Sequence, residues 1–244
     1  MRYGLFSDVH ANSEAFRAVL DALSREGVDR YVFVGDIVGY GAEPKECIRL
    51  LGELIENKGC VCVAGNHDYA VCHKSNHDRY TRYAREAVEW TRTKLDGKEM
   101  DFLASLDLVS QTDDFKIVHA SLDDPAQWSY ILDIDDAYPN FKLFDQPICF
   151  TGHSHKPIVF QAADHVDWTL DAKLRLDPGA KYIVNIGSVG QPRDGNPQSA
   201  FAVYDTVSAT IEIKRVDYDI ASAQKKIVDA GLPIWLAERL KIGK

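Results

Sequence analysis

Short apolar runs alternate with amphipathic stretches through the first half of the chain. RYGLFS (2–7) reads as a strand. Asn12 or Ser13 can then cap a helix whose apolar positions Ala15, Phe16, Val19, Leu20 and Leu23 follow the i, i+3, i+4, i+7 pattern. RYVFVG (30–35) is a second strand, and Pro44 suits the first turn of a helix with Cys47, Ile48, Leu51 and Ile55 on one face. CVCVAG (60–65) is a third strand, and residues 79–95 form a third helix with Tyr80, Tyr83, Ala84, Ala87, Val88 and Thr91 in register. This β-α-β-α-β order implies parallel strands joined by right-handed crossovers. The second half changes character. FKIVHA (115–120) and PICFTG (147–152) are apolar runs, followed by hairpin-spaced strands at 157–162, 166–171, 181–187, 199–205 and 209–216. These suggest a second sheet with antiparallel pairs. From about Ile220 the pattern is helical, with a break at Gly231–Pro233. No repeat or linker interrupts the pattern. The expectation is one α/β (α+β) domain over 1–244, a four-layer α/β/β/α sandwich of two packed mixed sheets flanked by helices.

Composition narrows the class. The 244 residues are 45% hydrophobic, enough for one large core. The formal net charge is −9 with no long basic run, which argues against long nucleic acid or an anionic membrane as partner. The five cysteines are odd in number and show no C-x-x-C spacing, and Cys60 and Cys62, in an apolar run, read as reduced core thiols. The N-terminal stretch lacks signal-peptide character and no apolar run approaches membrane-spanning length. A cytoplasmic location is expected.

Chemistry gathers where the apolar runs end. SDVH, GDIVG, GNHD, VHAS and TGHSH each follow one run, and ligand sites in open α/β sheets lie outside the carboxyl ends of the strands. Five of the eight histidines fall in these clusters. In extended backbone, i and i+2 share a side, which pairs Asp8 with His10 and His153 with His155. The donors Asp8, His10, Asp36, Asn66, His119, His153 and His155 mix carboxylate, imidazole and amide without thiolate. That suits Mn²⁺, Fe or Zn²⁺ and fits structural zinc poorly. They are too many for one ion. Two ions with one shared carboxylate are expected, in the arrangement used for in-line displacement at phosphorus, roughly 3.5–4 Å apart.

The ordered set D-x-H, G-D-x-x-G, G-N-H-D, H, G-H-x-H resembles the calcineurin-like metallophosphoesterases through most of the chain, and NIGSVGQPRDG (185–195) adds a likeness to their prokaryotic phosphodiesterase branch. The resemblance implies two divalent ions, Mn or Fe first, with Zn, Ni or Co as alternatives. One would take Asp8, His10, Asp36 and His155; the other Asp36, Asn66, His119 and His153, with Asp36 bridging. It implies a bridging water that loses its proton and attacks phosphorus, His67 as proton donor or transition-state stabiliser, and Asp68 orienting the His67 ring. Val118 stands before His119 where many members have glycine, and it touches no ligand atom.

Other positions admit two readings. Asn12 is a helix cap or a phosphate contact. Arg193 is a solvated turn residue or a guanidinium clamp on a substrate phosphate. Trp128 and Tyr130 pack as core or lid, or stack on a base. His73, His77 and His165 read as surface or helix-end residues. The expected activity is hydrolysis of phosphodiester or nucleotide phosphoanhydride bonds in a small phosphorylated substrate. A dinucleoside polyphosphate hydrolase is the alternative. A protein phosphatase, or a symmetrical diadenosine tetraphosphatase, is disfavoured because the family's arginine after the second motif is absent from GDIVGYGAEP. A retromer-like scaffold is disfavoured because His67 and all seven donors are present. A nuclease would want a basic stripe. A homo-oligomer is left open.

Overall fold

The computed structural model describes residues 1–73 and 80–244. Strands β1 (Arg2–Phe6), β2 (Arg30–Phe33) and β3 (Val61–Cys62) are parallel, as expected, and are joined through α1 (Ser13–Arg25) and α2 (Pro44–Lys58). After α3 (Asn66–His73) come α4 (Arg82–Lys94), α5 (Gly97–Ala104), β4 (Val109–Gln111), β5 (Lys116–Val118), α6 (Ile134–Asn140), β6 (Ile148–Thr151), β7 (Ile158–Ala162), β8 (Val166–Thr169), β9 (Lys173–Arg175), β10 (Lys181–Asn185), β11 (Ser199–Asp205) and β12 (Thr210–Val216). The chain closes on α7 (Ile220–Asp229), α8 (Ile234–Glu238) and a 3-10 turn, Arg239–Ile242.

The two sheets have strand orders β3-β2-β1-β11-β12-β9 and β4-β5-β6-β10-β7-β8. The period of two along each strand divides the apolar residues between layers. Leu5, Val32, Val34, Phe150, Tyr182, Val184 and Ala202 meet between the sheets. Phe6, Phe33, Phe201 and Val203 face the other way, onto Phe16, Val19 and Leu23 of α1 and Leu51 of α2. Cys149, Phe160 and Ile183 face Ala137 of α6 and Phe141 on the second sheet's outer side. This is the expected four-layer sandwich.

Several expectations are corrected. The late strands do not build one sheet. β7, β8 and β10 join the second, whereas β11 pairs antiparallel with β1 and carries β12 and β9 into the first. The third strand, Val61–Cys62, is shorter than its apolar run, and helix α3, which was not foreseen, begins at Asn66. Tyr80 precedes α4, whose cap Thr81 accepts from Ala84 N–H, so it does not lie on that helix. The Asp96–Glu99 capping box that starts α5 is legible in DGKE, yet that helix was not foreseen.

Among the described residues no helix is long and apolar enough to cross a membrane. His73 and His165 are exposed, as expected, and His77 lies outside the described residues.

Candidate metal centre and cleft

Five parallel strands deliver the polar clusters to one edge. Asp8 and His10 follow β1, Asp36 follows β2, Asn66 and His67 follow β3, His119 follows β5, and His153 and His155 follow β6. A sixth strand, β10, parallel to β6, leads into the loop carrying Gln191 and Arg193. Backbone bonds knit these ends together. Asp8 N–H donates to Gly35 O (2.9 Å), His10 N–H to Asp36 O (3.0 Å), Gly152 N–H to His119 O (2.9 Å) and Gly190 N–H to Asp8 O (2.9 Å). The two donor pairs do meet, but not through extended chain. Asp8, His10, Asp36, His153 and His155 all have positive φ, between 49° and 67°. Five non-glycine residues in the left-handed region cost of order 1–3 kcal/mol each, a strain concentrated on the functional edge. Gly65 ends the third apolar run. Its requirement is close approach, since a Cβ there would run into the Asp36 carboxylate.

Outer hydrogen bonds fix the histidine tautomers. Nδ1–H of His10 donates to Val38 O (3.0 Å), that of His119 to Val34 O (2.7 Å) and that of His155 to Gln191 O (2.6 Å). A carbonyl only accepts, so in each ring the neutral form keeps its proton on Nδ1 and turns the Nε2 lone pair inward. His10 Nε2 and His155 Nε2 lie 3.1 Å apart, and His155 Nε2 lies 3.1 Å from Asp8 Oδ1. His119 Nε2 is 3.3 Å, and His10 Nε2 3.7 Å, from Asp36 Oδ2. Converging lone pairs repel unless a cation lies among them. Asp8 Oδ1, Asn66 Oδ1 and His119 Nε2 are buried with no hydrogen-bond partner, an unfavourable state that ligation relieves. Asn66 Nδ2 donates to Tyr80 Oη (2.9 Å) while Tyr80 Oη–H donates to Asn66 O (2.8 Å), which turns Oδ1 toward the other donors.

The electrostatics agree. Burial alone would raise Asp8 and Asp36, but the neighbouring imidazoles, His155 and His119 foremost for Asp8 and His119 and His67 for Asp36, hold both carboxyls below the ordinary range. Burial would lower His119, yet Asp36 and Asp8 outweigh it and lift the ring to about 9. Burial pushes His153 down to about 3 and His10 well down. Among the described residues no Lys or Arg pairs with Asp8 or Asp36, so the cage carries negative charge suited to a cation. Asp8–His10–His155 and Asp36–His119–His153 each bring one donor atom per residue within 4.8 Å of the others, and each holds three of the four residues expected at one metal position. His10–Asp36–His67 forms a third such group.

Two sequence expectations change. Asp68 does not orient the His67 ring. Its carboxylate accepts the backbone N–H groups of Asp36 (2.8 Å), Gly65 (3.0 Å) and Val38 (3.1 Å), and His67 Nδ1 has no hydrogen-bond partner. The cause is α3: consecutive helical residues do not face each other. Asp68 instead clamps the GDIVG turn onto the α3 N-terminus, while the Asp36 carboxylate accepts His67 N–H (2.8 Å). Asn12 is the helix cap and not a phosphate contact. Its Oδ1 accepts from Ala15 N–H (3.1 Å) and its Nδ2 donates to Gly190 O (3.0 Å), so both ends are engaged.

A cleft of about 800 Å³ opens over the cluster, lined by Asp36, Asn66, His67, His153, His155 and Arg193. His67 sits in an aromatic collar, 4.4 Å from the Tyr40 ring and 5.4 Å from the Tyr80 ring. Tyr130 stacks on His153 at 4.1 Å, and Trp128 also lines the cleft, so both serve as wall rather than core. The Arg193 guanidinium is held by Gln191 Oε1 (3.2 and 2.8 Å) and lies 5.6 Å from the Tyr40 ring. Tyr40, Tyr80, Gln191 and Arg239 reach the site or its cleft without a sequence signal that marked them.

Tyr80→Phe is expected to weaken metal binding by roughly 10–100-fold, the usual cost of losing an outer-shell partner. Competition with a metallochromic chelator measures it; unchanged affinity would show that Asn66 does not need the phenol.

Comparison with known proteins places this geometry. The model of the calcineurin-like phosphoesterase superfamily domain matches residues 1–209. An uncharacterized protein of Methanocaldococcus jannaschii is 39% identical over 246 residues, covering 98% of this chain and 97% of its own. The crystal structure of a metallophosphoesterase from Sphaerobacter thermophilus is 37% identical, with a TM-score of 0.86 over 100% of this chain and 99% of that one. A hypothetical protein from Pyrococcus horikoshii OT3 shares the fold at 18% identity and a TM-score of 0.80, covering 100% and 98% of the two chains. With these likenesses, and with its His/Asp cluster capable of holding metal, the chain belongs to the calcineurin-like phosphoesterase superfamily, a family of metal-dependent hydrolases.

Proposed function

We propose that the protein is a binuclear metal-dependent phosphohydrolase that cleaves phosphodiester or nucleotide phosphoanhydride bonds in a small substrate. One observation carries the reading: two buried donor groups, both within reach of Asp36, meet a cleft that Asp36, His153 and His155 line together with His67 and Arg193. One metal position takes Asp8, His10, Asp36 and His155; the other takes Asp36, Asn66, His119 and His153. When bound, divalent ions polarise the phosphoryl oxygens and make water a nucleophile at neutral pH. The oxygen- and nitrogen-donor set without thiolate favours Mn or Fe.

The chain's own residues supply the remaining steps. Arg193 presents a guanidinium to a substrate phosphate from a loop pinned by Gln191 and Tyr40. His67 faces the cleft from the first turn of α3. Burial pushes its imidazole down to about 4, against the pull of Asp36, so the resting ring is neutral at pH 7. The neutral ring can hydrogen-bond the leaving oxygen; an anionic phosphate beside it raises its proton affinity, so that the ring takes up a proton from solvent and passes that proton to the leaving group. The aromatic collar holds that ring in place and keeps water from it. Among the described residues lining the cleft the only cations are Arg193 and Arg239, not a basic stripe, which supports a small substrate over long nucleic acid.

A panel of phosphodiesters, phosphomonoesters and dinucleoside polyphosphates assayed with Mn²⁺ tests the reaction class. Chelation is expected to abolish turnover and Mn²⁺ to restore it. Full activity in exhaustively metal-stripped protein would overturn the proposal.

A further inference from the structure

Two arginines reach the cleft from distant segments. Arg193 comes from the loop after β10, and Arg239 from the final 3-10 turn, beyond the residues that the family model matches. Neither pairs with an Asp or Glu side chain among the described residues. Asp194, adjacent to Arg193, pairs with Arg215 instead, and Glu238, adjacent to Arg239, is exposed. Arg239 donates from Nε to Lys244 O, and both of its Nη groups have no acceptor among the described residues. Arg193 uses Nε and Nη2 on Gln191, leaving Nη1 in the same condition. Their segments are tied together, since Gly195 N–H donates to Gly243 O (2.9 Å).

The charges act on each other. Burial first, and Arg193 second, push Arg239 down to about 10, so it stays cationic at pH 7. The charge of Arg193 also bears on His10, His67 and His155. Arg193 thus acts electrostatically on both the donor cluster and Arg239, and both arginines line the one cleft. Two half-buried cations lining one cleft, with no side-chain carboxylate partner among the described residues, repel in a setting that screens poorly. An anion between them relieves that repulsion and takes up the idle N–H groups in the fork geometry that suits phosphate.

Resting on the phosphohydrolase reading, we propose that Arg193 and Arg239 form a second-phosphate subsite, and that the preferred substrate carries another phosphate adjacent to the one that reacts. That class is a small phosphoanhydride or polyphosphate ester rather than a simple diester.

Two arms test this. The first is calorimetry on the metal-stripped full chain with inorganic phosphate and pyrophosphate. The wild type is expected to bind pyrophosphate at least roughly tenfold more tightly than phosphate, and Arg239→Gln to lose that preference, as expected for one charge-assisted phosphate contact. Arg239→Lys should keep part of it. The second arm compares kcat/KM for p-nitrophenyl thymidine 5′-phosphate and p-nitrophenyl thymidine 5′-diphosphate. The wild type should favour the diphosphate, and Arg239→Gln should reduce the ratio by roughly tenfold. Equal binding of phosphate and pyrophosphate by the wild type, or an undiminished preference in Arg239→Gln, would overturn the subsite. If neither ester is hydrolysed, the reaction reading fails and the calorimetry still decides the subsite. Should Arg239→Gln not fold, as judged by circular dichroism, Arg193→Gln carries the same comparison.

Discussion

Asp36→Asn is expected to leave less than one tightly held ion per chain where the wild type holds about two, and to lower kcat/KM by more than the roughly 10–100-fold that an outer-shell change costs. The substitution keeps shape and removes charge. Asp36 is the carboxylate placed in both metal positions, with Oδ2 3.3 Å from His119 Nε2 and 3.7 Å from His10 Nε2. Its other oxygen accepts His67 N–H, a bond that an amide oxygen can keep. The backbone of the GDIVG turn is held separately by Asp68, so the fold should survive. Loss of both ions together would then reflect charge and not unfolding. Metal content after dialysis, measured with the circular dichroism of the same samples, checks this. Two retained ions would assign the bridge to another residue, and Asp8 would be the next candidate.

His67→Ala should do the reverse. Metal content is expected to stay near the wild-type value while kcat falls by a factor on the order of 10²–10⁴, the usual worth of a positioned general acid. The loss should be largest for leaving groups of high pKa, which need the proton most. An activated aryl diester should suffer less, because its leaving group departs as an anion. The test is a real one, since the His67 ring lies in a potential donor group with His10 and Asp36. His119→Ala provides the contrast: it should lose an ion and slow all substrates alike. If His67→Ala loses an ion, or slows every substrate equally, His67 is a ligand or an electrostatic residue and the proton-donor role is wrong.

The legible part of this molecule is the part written in consecutive residues. Each polar cluster follows an apolar strand directly, so β1, β2, β3, β5 and β6 could be placed and their donors aimed at one edge. The division of the late strands was not legible, because alternation states which faces are buried and not which sheet receives the strand. Adjacency misled at Asp68. It follows His67 in sequence, but the helix beginning at Asn66 turns the two side chains apart, and Asp68 reaches back to Gly65 N–H. Asn12 was ambiguous because a cap and a phosphate contact want the same amide; the bond to Gly190 O removes the ambiguity. Tyr80 and Arg239 carried no signal, because their roles arise only when distant segments meet. Arg193 was visible as a loop arginine, but that it has no carboxylate partner among the described residues depended on Asp194 turning to Arg215.

The most direct measurement is a metal titration of stripped protein, with bound ions counted by mass spectrometry and hydrolysis of a phosphodiester followed in the same samples. The expected result is no turnover without metal, a rise that tracks occupancy, and saturation at about two ions per chain. Turnover in the stripped protein, or saturation without stoichiometric binding, would contradict a binuclear phosphohydrolase.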